Sequence, residues 1–110
     1  MDTLSESEYR QALALLRDFG CSELDTARIY GGGKAEAGLG AALQAAPSHL
    51  RESFVVHSKA SPNKAYGSLS TAGLQRQGQT TMADLGLEQL DIYYLHSVDE
   101  STDLVETLRQ

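Results

Sequence analysis

Two short apolar runs, Phe54-Val55-Val56 and Ile92-Tyr93-Tyr94-Leu95, most limit what this chain can fold into. Both are rich in β-branched or aromatic residues, and neither alternates with polar ones. Strands buried on both faces of a parallel sheet read this way. Parallel neighbours need a crossover connection, usually a helix. The segments around the two runs supply one each time.

Ser5-Glu6-Ser7-Glu8 reads as a capping box, a hydroxyl followed three residues later by Glu. Tyr9, Ala12, Leu13, Leu16 and Phe19 then recur at helical spacing until Gly20 stops the helix. Cys21–Ala27 is short and extended. Residues 34–46 are alanine-rich and helical, although Gly38 and Gly40 each cost roughly 1 kcal/mol against Ala. Pro47 ends that helix. A strand over 53–59, bounded by Pro62 and Asn63, precedes a weaker helical pattern at 69–85 through Leu74, Met82 and Leu85. Residues 90–97 form a third strand, and Ser101 onward opens a last helix. The order α, β, α, β, α, β, α implies right-handed β-α-β units and a parallel sheet covered on both faces.

At 110 residues the chain is at most one domain, expected over 1–110. Nine basic and fifteen acidic residues, without a basic run, argue against nucleic acid or an anionic membrane as partner. No apolar run approaches the ~18 residues of a membrane span, and the N-terminus lacks a signal-peptide pattern. The single cysteine, Cys21, cannot form an internal disulfide; it is expected small, buried and inert in a reducing, cytoplasmic setting. No metal site is expected.

Each strand ends in a titratable group. Asp25 closes the first, with Tyr30 in the loop beyond it; Lys59 closes the second and His96 the third. Loops at the C-terminal edge of a parallel sheet open on one side, where ligands bind. Asp25, Tyr30, Lys59 and His96 are therefore expected on one rim. An ammonium beside a phenol favours the phenolate, and a carboxylate keeps the lysine charged. A Tyr so placed can act as general acid or base, a role typically worth ~10²–10⁴ in rate. Taken singly, each residue also has a plain structural use: a cap, a turn aromatic, an edge lysine, a packed histidine.

Tyr30 and Lys34 also form a Tyr-x-x-x-Lys. That pair works only on one face of a helix, and Gly31-Gly32-Gly33 would destabilise the intervening turn. Lys34 is expected to be solvated and unconnected to Tyr30. A phosphate loop fails too, because Arg28 stands where its first glycine belongs and Ala35 where its hydroxyl belongs. The three glycines read as loop.

With those residues in place, the chain resembles the aldo-keto reductases. Asp25-Thr26-Ala27-Arg28-Ile29-Tyr30 is similar to that family's Asp-Thr-Ala-x-x-Tyr signature, 55–60 to its lysine strand and 90–97 to its histidine strand. Within that family it looks like the aflatoxin-aldehyde-reductase-like branch. The resemblance implies a (β/α)₈ TIM barrel, here only strands two to four, truncated at both ends. Met1-Asp2 falls where the family's first strand has already ended. It further implies NADPH-dependent reduction of small aldehydes or ketones. Tyr30 would be the general acid, Lys59 its partner, Asp25 the partner of Lys59, and His96 the residue orienting the carbonyl. Asp25 is also a tentative cofactor contact, while most NADPH-binding residues belong to the absent second half. Gly73 and Gly78 replace better helix formers, with a packing void expected at Gly78.

Two functions are compatible with these residues. One is a reductase, or a piece of one. The other is an inactive truncated remnant, or one whose barrel a complementing chain completes, or a non-enzymatic interaction or regulatory subunit; the isolated chain is expected to fold poorly or to form oligomers. The open sheet edges of such a piece favour association.

Overall fold

The computed structural model describes residues 4–63 and 65–109; Met1-Asp2 lies outside them. Among the described residues the order is α1 (Glu6–Asp18), β1 (Glu23–Asp25), a 3₁₀ turn (Tyr30–Gly33), α2 (Ala35–Ala45), α3 (Ser48–Arg51), β2 (Val55–Ala60), α4 (Thr71–Leu85), β3 (Ile92–Leu95) and α5 (Leu104–Leu108). The short α3 after Pro47 was not expected. No helix among the described residues is long and apolar enough to cross a membrane.

α1 starts at the capping box. Ser5 Oγ accepts from the Glu8 amide, and the Glu8 carboxylate accepts from the Ser5 amide at 2.7 Å. Those two bonds satisfy two otherwise orphaned helix donors. Gly20, at φ 76°, follows the helix end. Phe19 does not join the buried stripe: it is 87% exposed. Cys21 is half-buried rather than buried.

The strands lie in the order β1-β2-β3, all parallel. The register pairs Leu24 with Val56, Asp25 with His57, and Lys59 with Tyr94. Side chains alternate across a sheet, so Leu24, Val56, Ser58 and Ala60 point one way and Asp25, His57 and Lys59 the other. The first face is covered. Leu24 and Val56 join Leu13, Leu39, Leu43, Phe54 and Leu85 in one core, and Ala60, Leu69 and Leu74 form a smaller one.

The other face is open, which corrects the expectation of a sheet covered on both sides. Val55, Ile92 and Tyr94 are 37–45% exposed there. Their apolar run is what a doubly covered strand requires, yet among the described residues helices lie on one face of this sheet.

The helix glycines also read differently in three dimensions. A Cβ at Gly40 would overlap the Asp84 carbonyl and come within 2.8 Å of Leu85 Cα. One at Gly73 would overlap the Ser68 carbonyl. These two glycines are close-approach positions and not mere helix weaknesses. Gly78 differs: a Cβ there meets only the Tyr93 ring, at 3.8 Å, so space does exist beside it.

Candidate active site

The β1–β2 ladder continues past the strand end. Thr26 donates its amide to the His57 carbonyl at 3.0 Å, and Arg28 donates to Lys59 at 3.1 Å. The chain leaving β1 is thereby held alongside β2 as far as Lys59. It then turns sharply. The Tyr30 amide bonds the Ala27 carbonyl, and Gly31, Gly32 and Gly33 follow at φ 60°, 64° and 88°. Three successive left-handed residues are accessible at little cost only to glycine. The turn brings the Tyr30 ring back over the sheet edge. Lys34, by contrast, is exposed at the N-cap of α2.

Lys59 Nζ lies at the centre. It is 2.6 Å from Asp25 Oδ2, 3.0 Å from the Thr26 carbonyl and 3.4 Å from the Tyr30 hydroxyl. It is also 5.1 Å from the centroid of the Tyr30 ring, within cation–π range. Burial pulls the Lys59 pKa down, but hydrogen bonds and charge from Asp25 and Tyr30 outweigh it and hold the value above the ordinary lysine range. The lysine is cationic at neutral pH.

His96 reaches the same place from β3. Its amide donates to the Ala60 carbonyl at 2.9 Å, extending the second ladder. Its ring meets Tyr30 edge to face, with centroids 5.8 Å apart. His96 Nδ1 is buried and has no hydrogen-bond partner among the described residues. The structure thus brings Asp25, Tyr30, Lys59 and His96 together.

A cleft of about 510 Å³ opens beside them, lined by Asp25, Lys59 and His96 together with Glu23, His57 and Tyr94. The last three were not singled out from sequence. His57 stacks on Tyr94 with centroids 6.1 Å apart, and its Nε2 is 3.4 Å from Glu23. Strand alternation was the available signal: Glu23 and His57 stand two residues before Asp25 and Lys59. Tyr93, on the covered face, differs from Tyr94. Burial, then the nearby Glu36 charge, pushes its phenol up to about 12, so it stays protonated at neutral pH.

A sequence model described as the aldo/keto reductase family matches residues 2–110. The chain belongs to the aldo/keto reductase family. The oxidoreductase sirO of Leptosphaeria maculans is 39% identical over 103 residues, 90% of this chain and 28% of the relative. Aflatoxin B1 aldehyde reductase member 2 of Mus musculus is 36% identical over 93 residues, 82% of this chain and 24% of the relative. Among solved structures, the aldo-keto reductase of Klebsiella pneumoniae in complex with NADPH superposes with a TM-score of 0.72 at 31% identity, covering 93% of this chain and 34% of that one. The thermostable aldo-keto reductase Tm1743 gives 0.78 at 29%, covering 94% and 35%. The chain therefore spans about a quarter to a third of these proteins. Its open three-stranded sheet is a segment of the aldo-keto reductase TIM barrel.

Proposed function

We propose that this chain carries the proton-donating part of an NADPH-dependent carbonyl reductase site, acting on small aldehydes or ketones. The arrangement that supports this most directly is Lys59 Nζ between the Asp25 carboxylate and the Tyr30 hydroxyl. Tyr30, 40% exposed, gives its hydroxyl proton to the carbonyl oxygen of the substrate. Lys59, kept charged by Asp25, stabilises the phenolate left behind, because an ammonium is strongest where water is partly excluded. His96, edge-on to Tyr30, orients the carbonyl by hydrogen bonding from the same side.

The residues present fit one end of the cofactor. The cleft beside Tyr30 and His96 has an aromatic wall at Tyr94 and an exposed carboxylate at Asp25, suited to a flat ring and its hydroxyl or amide donors. It does not suit phosphates: Glu23 and Asp25 are acidic, and Lys59 is already engaged. When bound, NADPH supplies the hydride. On this reading residues 1–110 are one partial barrel domain, and the phosphate end of the cofactor is held by the family's second half or a complementing chain.

The test is titration of the purified chain with NADPH, followed by fluorescence, and an aldehyde turnover assay. Saturable binding with turnover that falls at least ~10²-fold in Tyr30→Phe supports the reading. Turnover that survives this substitution overturns Tyr30 as the acid. A folded chain that shows neither binding nor turnover, alone or mixed with the remaining barrel segments of a family member, supports a non-enzymatic role.

A further inference from the structure

A buried charged pair lies directly behind the candidate site and has no part in the proton transfer. Arg28 is 5% exposed and Glu36 fully buried. Arg28 Nη1 is 2.6 Å from Glu36 Oε2, off the N–H axis, so the contact is ionic rather than a directed hydrogen bond. Arg28 Nη2 donates to the Gly33 carbonyl at 2.7 Å and lies 2.9 Å from Asp84 Oδ2. Glu36 accepts from the Ser58 hydroxyl at 2.5 Å and from the Thr81 hydroxyl at 3.0 Å.

Taking such a pair out of water is costly, and a well-packed apolar replacement is often as stable. What the pair touches is therefore more informative than its charge. The Arg28 backbone amide bonds the Lys59 carbonyl, while its guanidinium holds the Gly33 carbonyl. Tyr30 lies in the chain between those two grips. Glu36, at the start of α2, is tied to Ser58, the residue before Lys59. One network thus fixes the turn that carries Tyr30 to the strand that carries Lys59. Three left-handed glycines make that turn easy to deform, so something outside it must define its shape.

We propose that Arg28 and Glu36 are positioning residues, locking the Tyr30–Gly33 turn onto β2 so that the Tyr30 hydroxyl stays in reach of Lys59 and His96. The catalytic meaning of this rests on the reductase reading; the positioning itself does not. The test therefore uses nuclear Overhauser contacts in the full chain, which are independent of turnover. Arg28→Met/Glu36→Gln removes both buried charges together and leaves only the part-exposed Asp84 carboxylate without its ion partner. Ring-to-ring contacts between Tyr30 and His96 are expected to weaken at least threefold, while contacts between His57 and Ile92 in the sheet stay unchanged. Arg28→Lys keeps a charge beside Glu36 but cannot also reach Gly33 with a second arm. It is expected to show the same selective loss, and it decides the matter if the double variant does not fold. Parental Tyr30–His96 intensity in either folded variant overturns the proposal. Absence of NADPH turnover with these contacts behaving as expected overturns only the reductase reading.

Discussion

Lys59 Nζ and Asp25 Oδ2 lie 2.6 Å apart across neighbouring parallel strands, joining residues 34 positions apart in sequence. The pairing depends on register. Asp25 stands beside His57, and the ladder beyond β1 carries the chain on to Lys59. A one-residue slip would turn either side chain to the covered face.

Asp25→Asn tests the electrostatic part of this contact. Lys59 has a folded pKa above its unfolded ~10.4, so its contribution is complete below that pH and is lost as pH rises through the folded value. The parental chain should lose more stability than Asp25→Asn as pH rises above about 10. Because Asp25 is well exposed, solvent screening limits the difference to about 1 kcal/mol or less. Urea midpoints at pH 8 and pH 11 measure it.

Asp99 gives the opposite sign. Hydrogen bonds from the Ser101 hydroxyl, the Leu69 amide and the Thr102 hydroxyl hold its carboxyl far below the usual carboxylate range. Its contribution is complete above the unfolded value of ~3.9 and is lost as pH falls toward the folded one. Asp99→Asn should melt lower than the parent at pH 5–8. The gap should close progressively below about pH 4. A gap that stays constant down to pH 2.5 would contradict this.

Two glycine substitutions in helices should differ in sign. Gly78→Ala adds a methyl at ordinary contact distance from Tyr93 and gains up to about 1 kcal/mol of helix propensity. Gly40→Ala gains the same propensity but drives its methyl into α4 backbone, at a cost of about 1–3 kcal/mol for overpacking. Denaturation of both variants under one condition settles it.

Gln77 is 1% exposed, and both ends of its amide group are hydrogen-bonded. Oε1 accepts from the Ser61 amide, and Nε2 donates to the Ser61 and Ser68 carbonyls, at 2.8–3.1 Å. Gln77→Leu takes these bonds from the buried Ser61 amide and carbonyl and from the part-buried Ser68 carbonyl, and should destabilise by about 1–3 kcal/mol. Faster hydrogen exchange at the Ser61 amide would mark the site directly.

Much of this architecture was legible because its causes are local. The capping box at Ser5 and Glu8, the helical spacing of Leu13 and Leu16, and the apolar runs at 54–56 and 92–95 act within a few residues of chain. Placing Asp25, Lys59 and His96 at strand ends required only the strand assignments and the rule that parallel strands share a C-terminal edge. Phe19 misled, since it fits the spacing of α1 but lies at its exposed end. The apolar strands predict cover on both faces, whereas among the described residues one face is part-exposed at Val55, Ile92 and Tyr94.

Local sequence thus determined the order of elements and the edge on which the polar residues gather, since periodicity, caps and turn residues act over a turn or a strand. Tertiary structure decided the rest. It set the contact of Tyr30 with Lys59, placed Glu23, His57 and Tyr94 on the same face, made Gly40 and Gly73 close-approach positions, and buried Arg28 against Glu36. Contacts such as Tyr30–Lys59 and Gly40–Asp84 join residues brought together by strand register or helix packing, which no short stretch of chain specifies alone.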